Sequence, residues 1–312
     1  MADLDSPWIR RAGLAAVFAL LVALPFMVRP YLYGVLIGLL INVIVVVSYR
    51  LITTTGEWSL GHVVMMGAGG YTSALLVKNL DVSFWLSAPA GGAAAAAVAF
   101  LLSFPLFRMK GFYFLIGSFA AGEALRLTWN RFRYPFGGPG GLSSILPPLA
   151  ELPGLGEIDF IEEIPYYFLV LVVMLASLWV MYRLERSRIG LTLHAIHWQD
   201  ALAEAVGVDT WRYRTLAFVT ASFFVGIAGA LLAHYLGTIN PNQFSLSVML
   251  YVLVWVIVGG SATFAGPIIG VTVLTVIDTA LRNVPAVGAH RPAIYGLILI
   301  LTMLFLPDGL ET

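Results

Sequence analysis

The 312-residue chain contains no cysteine. Disulfides, thiolate nucleophiles and cysteine-based metal sites are therefore excluded, and no redox signature marks a compartment. Charge is scarce too: Asp, Glu, Lys and Arg make up 11% of the residues, against about 25% in an ordinary soluble domain. The 17 basic and 17 acidic residues cancel, so there is no basic field of the kind that binds nucleic acid. No G-x-x-x-x-G-K-[ST] phosphate loop occurs, which assigns any use of ATP to another polypeptide. No H-E-x-x-H motif or nucleophile elbow occurs either. His194 and His197 stand at i, i+3 without a third ligand and read as surface histidines, so neither a metal site nor a catalytic residue is expected.

What the chain has in excess is apolar residues, 60% of the total, with a mean hydropathy of +0.90. A hydrocarbon core of ~30 Å calls for helices of about 20 residues, and ten runs approach that: 12–28, 31–49, 59–77, 84–107, 111–130, 165–182, 213–236, 246–260, 264–281 and 292–306. None alternates as a barrel strand would. The expected fold is an all-α integral membrane protein. It is a single transmembrane domain over residues 1–312, a bundle of about ten helices (eight to ten, since several runs are short or glycine-rich). Arg10 and Arg11 precede the first run, which reads as a span because no A-x-A-like cleavage signal is clear.

Lysine and arginine set the orientation. With the N-terminus inside, Arg10, Arg11, Arg50, Arg108, Lys110, Arg183, Arg186, Arg188, Arg212 and Arg214 fall on the cytoplasmic side. Arg29, Lys78, Arg131, Arg133, Arg282 and Arg291 fall outside. Both termini are then cytoplasmic. Residues 131–164 form an outer, periplasmic loop rich in Gly and Pro, and 183–214 an inner one.

The inner loop contains "HWQDALAEAVGVDTWRYR". Gln199 to Val206 read as two helical turns, with Asp200 at the positive end of the dipole and Gly207 as a left-handed stop. Ala201, Leu202, Ala205 and Val206 share one face, and Glu204 projects beside it. Small apolar residues with acidic neighbours suit a helix docked in a partner's groove; a helix lying on the lipid surface is the alternative.

Gly56, Gly61, Gly67, Gly69 and Gly70 crowd one segment. Glycines in a span permit either a break that lines a cavity or close helix packing. On the first reading Gly56, Ser59, Gly61, His62, Gly67 and Tyr71 lie along a solute route, with Ser59 capping a half-helix. On the second, His62 is hydrogen-bonded between helices. A second cluster, Gly259, Gly260, Gly266, Pro267 and Gly270, echoes the first. Intramembrane charges need partners: Glu123 and Arg126 pair at i, i+3 and Asp278 and Arg282 at i, i+4. Glu57 is left alone near an interface.

"GEWSLGHVVMMGAGGYTSALL", "GFYFLIGSFAAGEALRLTWNRFRYPFGGPGGLSSI", the segment from "RSRIGLTLHAIHWQDALAEAVGVDTWRYR" to "AHYLGTINP", "VIVGGSATFAGPIIGVTVLTVI" and the terminal "LPDGL" occur in that order. Together they resemble the branched-chain amino acid type of ABC-transporter permease over nearly the whole chain. Glu57 and Trp58 depart from the family's usual uncharged residues. The resemblance implies a multi-pass subunit of the bacterial inner membrane, surrounded by lipid and importing a hydrophobic amino acid by alternating access. Related permeases serve urea, short amides and aromatic acids. It implies a second, usually non-identical permease subunit, and two ATPase subunits that bind the ATP and Mg, so that this chain has no cofactor of its own. It also implies a periplasmic or lipid-anchored solute-binding protein. On it, Asp200, Ala201, Leu202, Ala203, Glu204, Ala205 and Gly207 form the coupling helix, and Arg131, Arg133, Gly137 and Gly138 belong to the loop where the binding protein docks. A passive channel would share the glycines but have no use for the coupling helix.

Overall fold

A computed structural model of the chain describes residues 7–152, 156–282, 291–306 and 309–310. The side chains of Arg10, Arg11, Glu151, Glu157, Arg282 and Arg291, and the pair Pro307–Asp308 of the terminal motif, lie outside the described residues.

Twelve α-helices occur among the described residues: α1 (Pro7–Met27), α2 (Tyr33–Thr53), α3 (His62–Leu80), α4 (Phe84–Leu106), α5 (Phe112–Arg131), α6 (Glu163–Glu185), α7 (Arg188–Trp198), α8 (Asp200–Ala205), α9 (Thr210–Leu236), α10 (Leu246–Gly259), α11 (Gly266–Arg282) and α12 (Arg291–Phe305). Ten of these fall on the ten apolar runs, with ends shifted by five residues or fewer. Five stretches, 30–53, 84–106, 163–185, 210–236 and 241–259, are long and apolar enough to cross a membrane. Residues 15–27, 266–281 and 293–305 are apolar but shorter. Glycine and polar residues keep α3 and α5 below that hydropathy.

Contacts sort the connections into two ends of the bundle. At one end the short strands β1 (Leu142–Ser143) and β4 (Thr238–Ile239) pair antiparallel, joining the 131–162 loop to the exit of α9. Lys78 Nζ donates to Ser143 O there. A second antiparallel pair, β2 (Leu149–Leu152) with β3 (Gly156–Asp159), lies within the loop. Among the described residues the loop is ordered by these strands and by a 3-10 turn (Gly138–Gly140), as its Gly and Pro content suits. At the other end lie α7, α8, the 54–61 connector and the 260–265 connector. Leu310 N donates to Val258 O at this end, so the described end of the chain shares a face with α8.

The core is built on close approach of backbones. A Cβ on Gly69 of α3 would strike the backbone of Gly226 in α9, and one on Gly229 would strike Met66 O. Gly91 of α4 approaches Gly69 O in the same way, at 2.5 Å for a Cβ built there. Ala88, Ala95 and Ala99 of α4 are buried against this seam. Between helices in lipid there is no hydrophobic drive, so contact area and van der Waals packing decide association, and small residues maximise both. The glycines of α3 are therefore explained by packing at Gly69 and Gly70. The second cluster acts likewise: a Cβ on Gly270 would meet Trp255 O, and one on Gly259 would meet Gly266 O. That crossing holds α10 and α11 together at the α8 end.

Candidate functional site

Residues 54–61 leave the helical path between α2 and α3, yet Thr54, Thr55, Glu57 and Ser59 are all buried. Irregular backbone at such a place must be paired by protein. Leu60 N donates to Ser118 Oγ of α5 (3.0 Å), and a Cβ on Gly61 would press on Ser118 O at 2.6 Å. Gly56 takes φ +83° and packs on His197 of α7, whose Nδ1 lies 3.2 Å from Thr53 O. Ser118 is six residues into α5, so the connector enters the bundle by about 9 Å.

The expected cap is corrected by this geometry. Ser59 Oγ accepts from Gly61 N (3.2 Å), a local turn, and the residue before α3 is Gly61, without a side-chain cap. His62 is fully buried with its Nε2 3.0 Å from Ser48 Oγ of α2, a bond between helices. Gly67 fits against Trp129 and Phe244, and the Tyr71 ring packs at tilted and edge-on angles among Trp129, Phe136 and Phe244. The structure thus gathers Gly56, Ser59, Gly61 and His62 at the connector. Gly67 and Tyr71 lie further along α3, in packed surroundings.

Glu57 is not alone. It is 3% exposed, its Oε2 accepts from Gly111 N at the entry to α5 (3.2 Å), and its Oε1 lies 3.6 Å from Arg214 Nη2 of α9. The same Nη2 is 3.3 Å from Asp200 Oδ2 of α8. Asp200 Oδ2 also accepts from Lys110 Nζ (2.6 Å). Burial pushes the Glu57 carboxyl above its ordinary range, and the Arg214 guanidinium pulls it partly back. A single buried arginine therefore ties the short helix α8 to the connector beneath it.

Helix α8 starts at Asp200 and stops before Gly207, which takes φ +88°. Ala201, Leu202, Glu204, Ala205 and Val206 are exposed, whereas Ala203 is buried against the protein and is not on the outward face. Glu204 Oε1 accepts from Thr210 Oγ1 (2.8 Å) and lies 3.9 Å from Lys110 Nζ. Trp198, Leu202 and Val206 leave a large apolar area uncovered at this end.

The helix α7 (Arg188–Trp198), which the sequence reading left undefined, orients α8. Ser187 Oγ accepts from Ile189 N at its start. His194 and His197 point to different partners: His194 Nε2 is 3.7 Å from Glu185 Oε1. Glu185 in turn is gripped bidentately by the buried Arg50 (Nη2 to Oε1, 2.8 Å), whose Nε and Nη2 also donate to Ser261 O and Ala262 O. This fork joins the ends of α2 and α6 to the 260–265 connector. Arg50→Lys keeps the charge and loses the fork, so it is expected to lower stability by about 1–3 kcal/mol, read as a lower unfolding midpoint in detergent. Sequence reasoning placed Arg50, Lys110 and Arg214 on the inner side only as orienting charges. The signal for a network was Glu57, a carboxylate in an apolar setting that requires a cation.

At the opposite end Glu123 and Arg126 pair as their spacing predicts. Arg131 and Arg133 are exposed beside the turn at Gly137 and Gly138, where Gly137 takes φ +81° and its N–H bonds Arg133 O (2.7 Å).

A family model described as branched-chain amino acid transport system / permease component matches residues 31–306. The chain is 28% identical to the high-affinity branched-chain amino acid transport system permease protein LivM of Escherichia coli K12, over 95% of this chain and 74% of that protein. Identity to LivM of Salmonella typhimurium is the same over the same shares. The autoinducer 2 import system permease protein LsrC of Klebsiella pneumoniae is also 28% identical, over 67% of this chain and 58% of its own length. No solved structure matches the chain.

Proposed function

The chain belongs to the permease component family of branched-chain amino acid transport systems, a family of multi-pass inner-membrane ABC-transporter permeases, and from that premise we propose how it works. It is one of two, non-identical, membrane subunits of an importer that carries a branched-chain or other hydrophobic amino acid inward. Two ATPase subunits bind inside, one of them on the α7–α8 face of this chain, which is cytoplasmic together with both termini. They bind the ATP and Mg. A periplasmic or lipid-anchored solute-binding protein docks on the 131–162 loop, where Arg131 and Arg133 meet its carboxylates and tune encounter more than affinity. All ten apolar helices cross the membrane.

The observation that carries this reading is the exposed helix α8 anchored by Asp200 to the buried Arg214 and Glu57. A helix lying loosely on lipid has no need of a buried ionic root. A helix pushed by an ATPase does, because movement of α8 must reach the connector, and through it α3 and α5, to switch access. The likeness to an autoinducer 2 import permease favours a second reading in which the solute is another small polar molecule; urea, short amides and aromatic acids belong to the same range.

The test is reconstitution in proteoliposomes with the ATPase subunits and binding protein. Leu202→Glu puts a charge on the apolar part of the outward face of α8, and Glu204→Lys reverses the charge beside it. Both are expected to insert normally and to lower ATP-driven uptake by at least roughly tenfold, with the ATPases no longer co-purifying. Undiminished uptake in both variants would remove the coupling role.

A further inference from the structure

Toward the 131–162 end, α10 and α11 part company. They touch at Gly259, Gly266 and Gly270, but about 12 Å further along they enclose, with α2 and α12, a partly open cavity of about 400 Å³. That volume lies within the range of small-ligand sites, roughly 300–1,000 Å³. Neither the route residues on α3 nor the charge network at α8 belongs to it.

Its wall is mixed in a specific way. Asp278 of α11 supplies a carboxylate, flanked one turn and one residue away by the hydroxyls of Thr275 and Thr279; Asn42 of α2 faces them. Trp255, Tyr251 and Tyr295 form an aromatic side, the two tyrosine rings meeting edge to face at 4.9 Å. Trp255 carries a buried indole Nε1–H without an acceptor, a donor that a native interior rarely leaves unused.

Gly38 adds an independent argument. It lines the cavity in the middle of an otherwise regular helix, where glycine costs about 1 kcal/mol relative to alanine. Unlike Gly69 or Gly270 it is not required by close contact: a Cβ at Gly38 would meet nothing within 4 Å. Its φ is also not left-handed. The side chain is absent where volume, not packing, is gained.

We infer that this cavity is a binding site for a small zwitterion with an apolar side chain. Asp278 receives the α-ammonium group with help from Thr279 and Asn42. An ionised carboxylate has about four lone-pair sites, so Asp278 can take that cation beside the interaction it already makes. A threonine hydroxyl serves the carboxylate, and the aromatic side takes the apolar group. The inference rests on the permease reading and adds to it a place where the solute sits.

Binding of radiolabelled leucine to the purified full-length protein in nanodiscs tests it without ATP or partners, so failure of the coupling reading does not enter. Gly38→Leu fills the cavity and Asp278→Asn removes the anchor. Each is expected to weaken leucine binding by roughly tenfold or more. Four-methylpentanoate, which is leucine without its amine, is expected not to compete. Monodispersity by size exclusion checks the fold; if Asp278→Asn fails there, Gly38→Leu and the competition remain. Wild-type binding that both variants share, binding by four-methylpentanoate as strong as by leucine, or no binding by the wild type overturns the site. If Gly38→Leu leaves leucine binding intact and, in a separate co-purification, loses the second permease subunit, the cavity is a subunit contact and the site is overturned as well.

Discussion

Arg214→Met is expected to destabilise the folded protein by about 3–5 kcal/mol, the usual result of removing one partner from a buried ionic cluster. Arg214 is 7% exposed and lies within 4 Å of two carboxylates, Glu57 at 3.6 Å and Asp200 at 3.3 Å. Without it Asp200 keeps Lys110, but Glu57 keeps only the Gly111 amide among its close partners. The loss should therefore be carried mostly by Glu57, and Arg214→Met combined with Glu57→Gln should recover much of it. Glu57→Gln alone should cost less than Arg214→Met, since Arg214 retains Asp200.

Acid provides a second check. Burial holds the folded-state pKa of Glu57 above its ordinary value, and removing Arg214 takes away the main opposing influence. A raised carboxylate pKa means that the folded state prefers the proton. The stability it contributes is fully present below the ordinary carboxylate range and is lost as pH rises through the raised value. The Arg214→Met deficit is therefore expected to shrink on acidification, and to vary little with pH once Glu57 is Gln. Unfolding midpoints of the four proteins across a pH series measure this. A midpoint for Arg214→Met equal to wild type at neutral pH would show that the cluster is not a structural root for α8.

The helices were legible because lipid selects one property, hydropathy, over a length fixed by the bilayer, and α4 from Phe84 and α9 to Leu236 end where the apolar runs do. Gly207 was legible because a helix stop needs φ above zero, which it takes. What escaped was whatever depends on partners distant in sequence. Glu57 and Arg214 are 157 positions apart, and no local pattern pairs them. The face of α8 was a local pattern and legible: Ala201, Leu202, Ala205 and Val206 are exposed, and Ala203, which lies off that face, is buried. Helix α7 lacked the long apolar run that marked the spans. For Gly56, Gly61 and Gly67 the sequence allowed either a pathway or packing. Only neighbours could decide, and those found are His197, Ser118 and Trp129.

The same reasoning makes the α3–α9 seam the most sensitive part of the fold. Gly69→Ala and Gly229→Ala each add one methyl group, the smallest side chain there is, yet each methyl would sit on backbone: Gly226 in the first case and Met66 O in the second. A flexible side chain could rotate aside; a helix backbone cannot. The two helices must separate along the seam, and α4 must follow, because Gly91 rests on Gly69 and Gly92 on Phe223 O. Overpacking of an interior costs about 1–3 kcal/mol and more where nothing can yield, so each variant should fall at or beyond the upper end of that range. Gly69→Leu should give no monodisperse protein at all. Gly296→Ala is the matched control: its Cβ meets open space on α12, and replacing a helical glycine there should be neutral or stabilising by up to about 1 kcal/mol. Size-exclusion profiles and unfolding midpoints in detergent distinguish the positions. If Gly69→Ala and Gly229→Ala match the Gly296→Ala control, α3 and α9 do not depend on backbone contact. The rigid unit through which α8 would move the connector would then have to be sought elsewhere in the bundle.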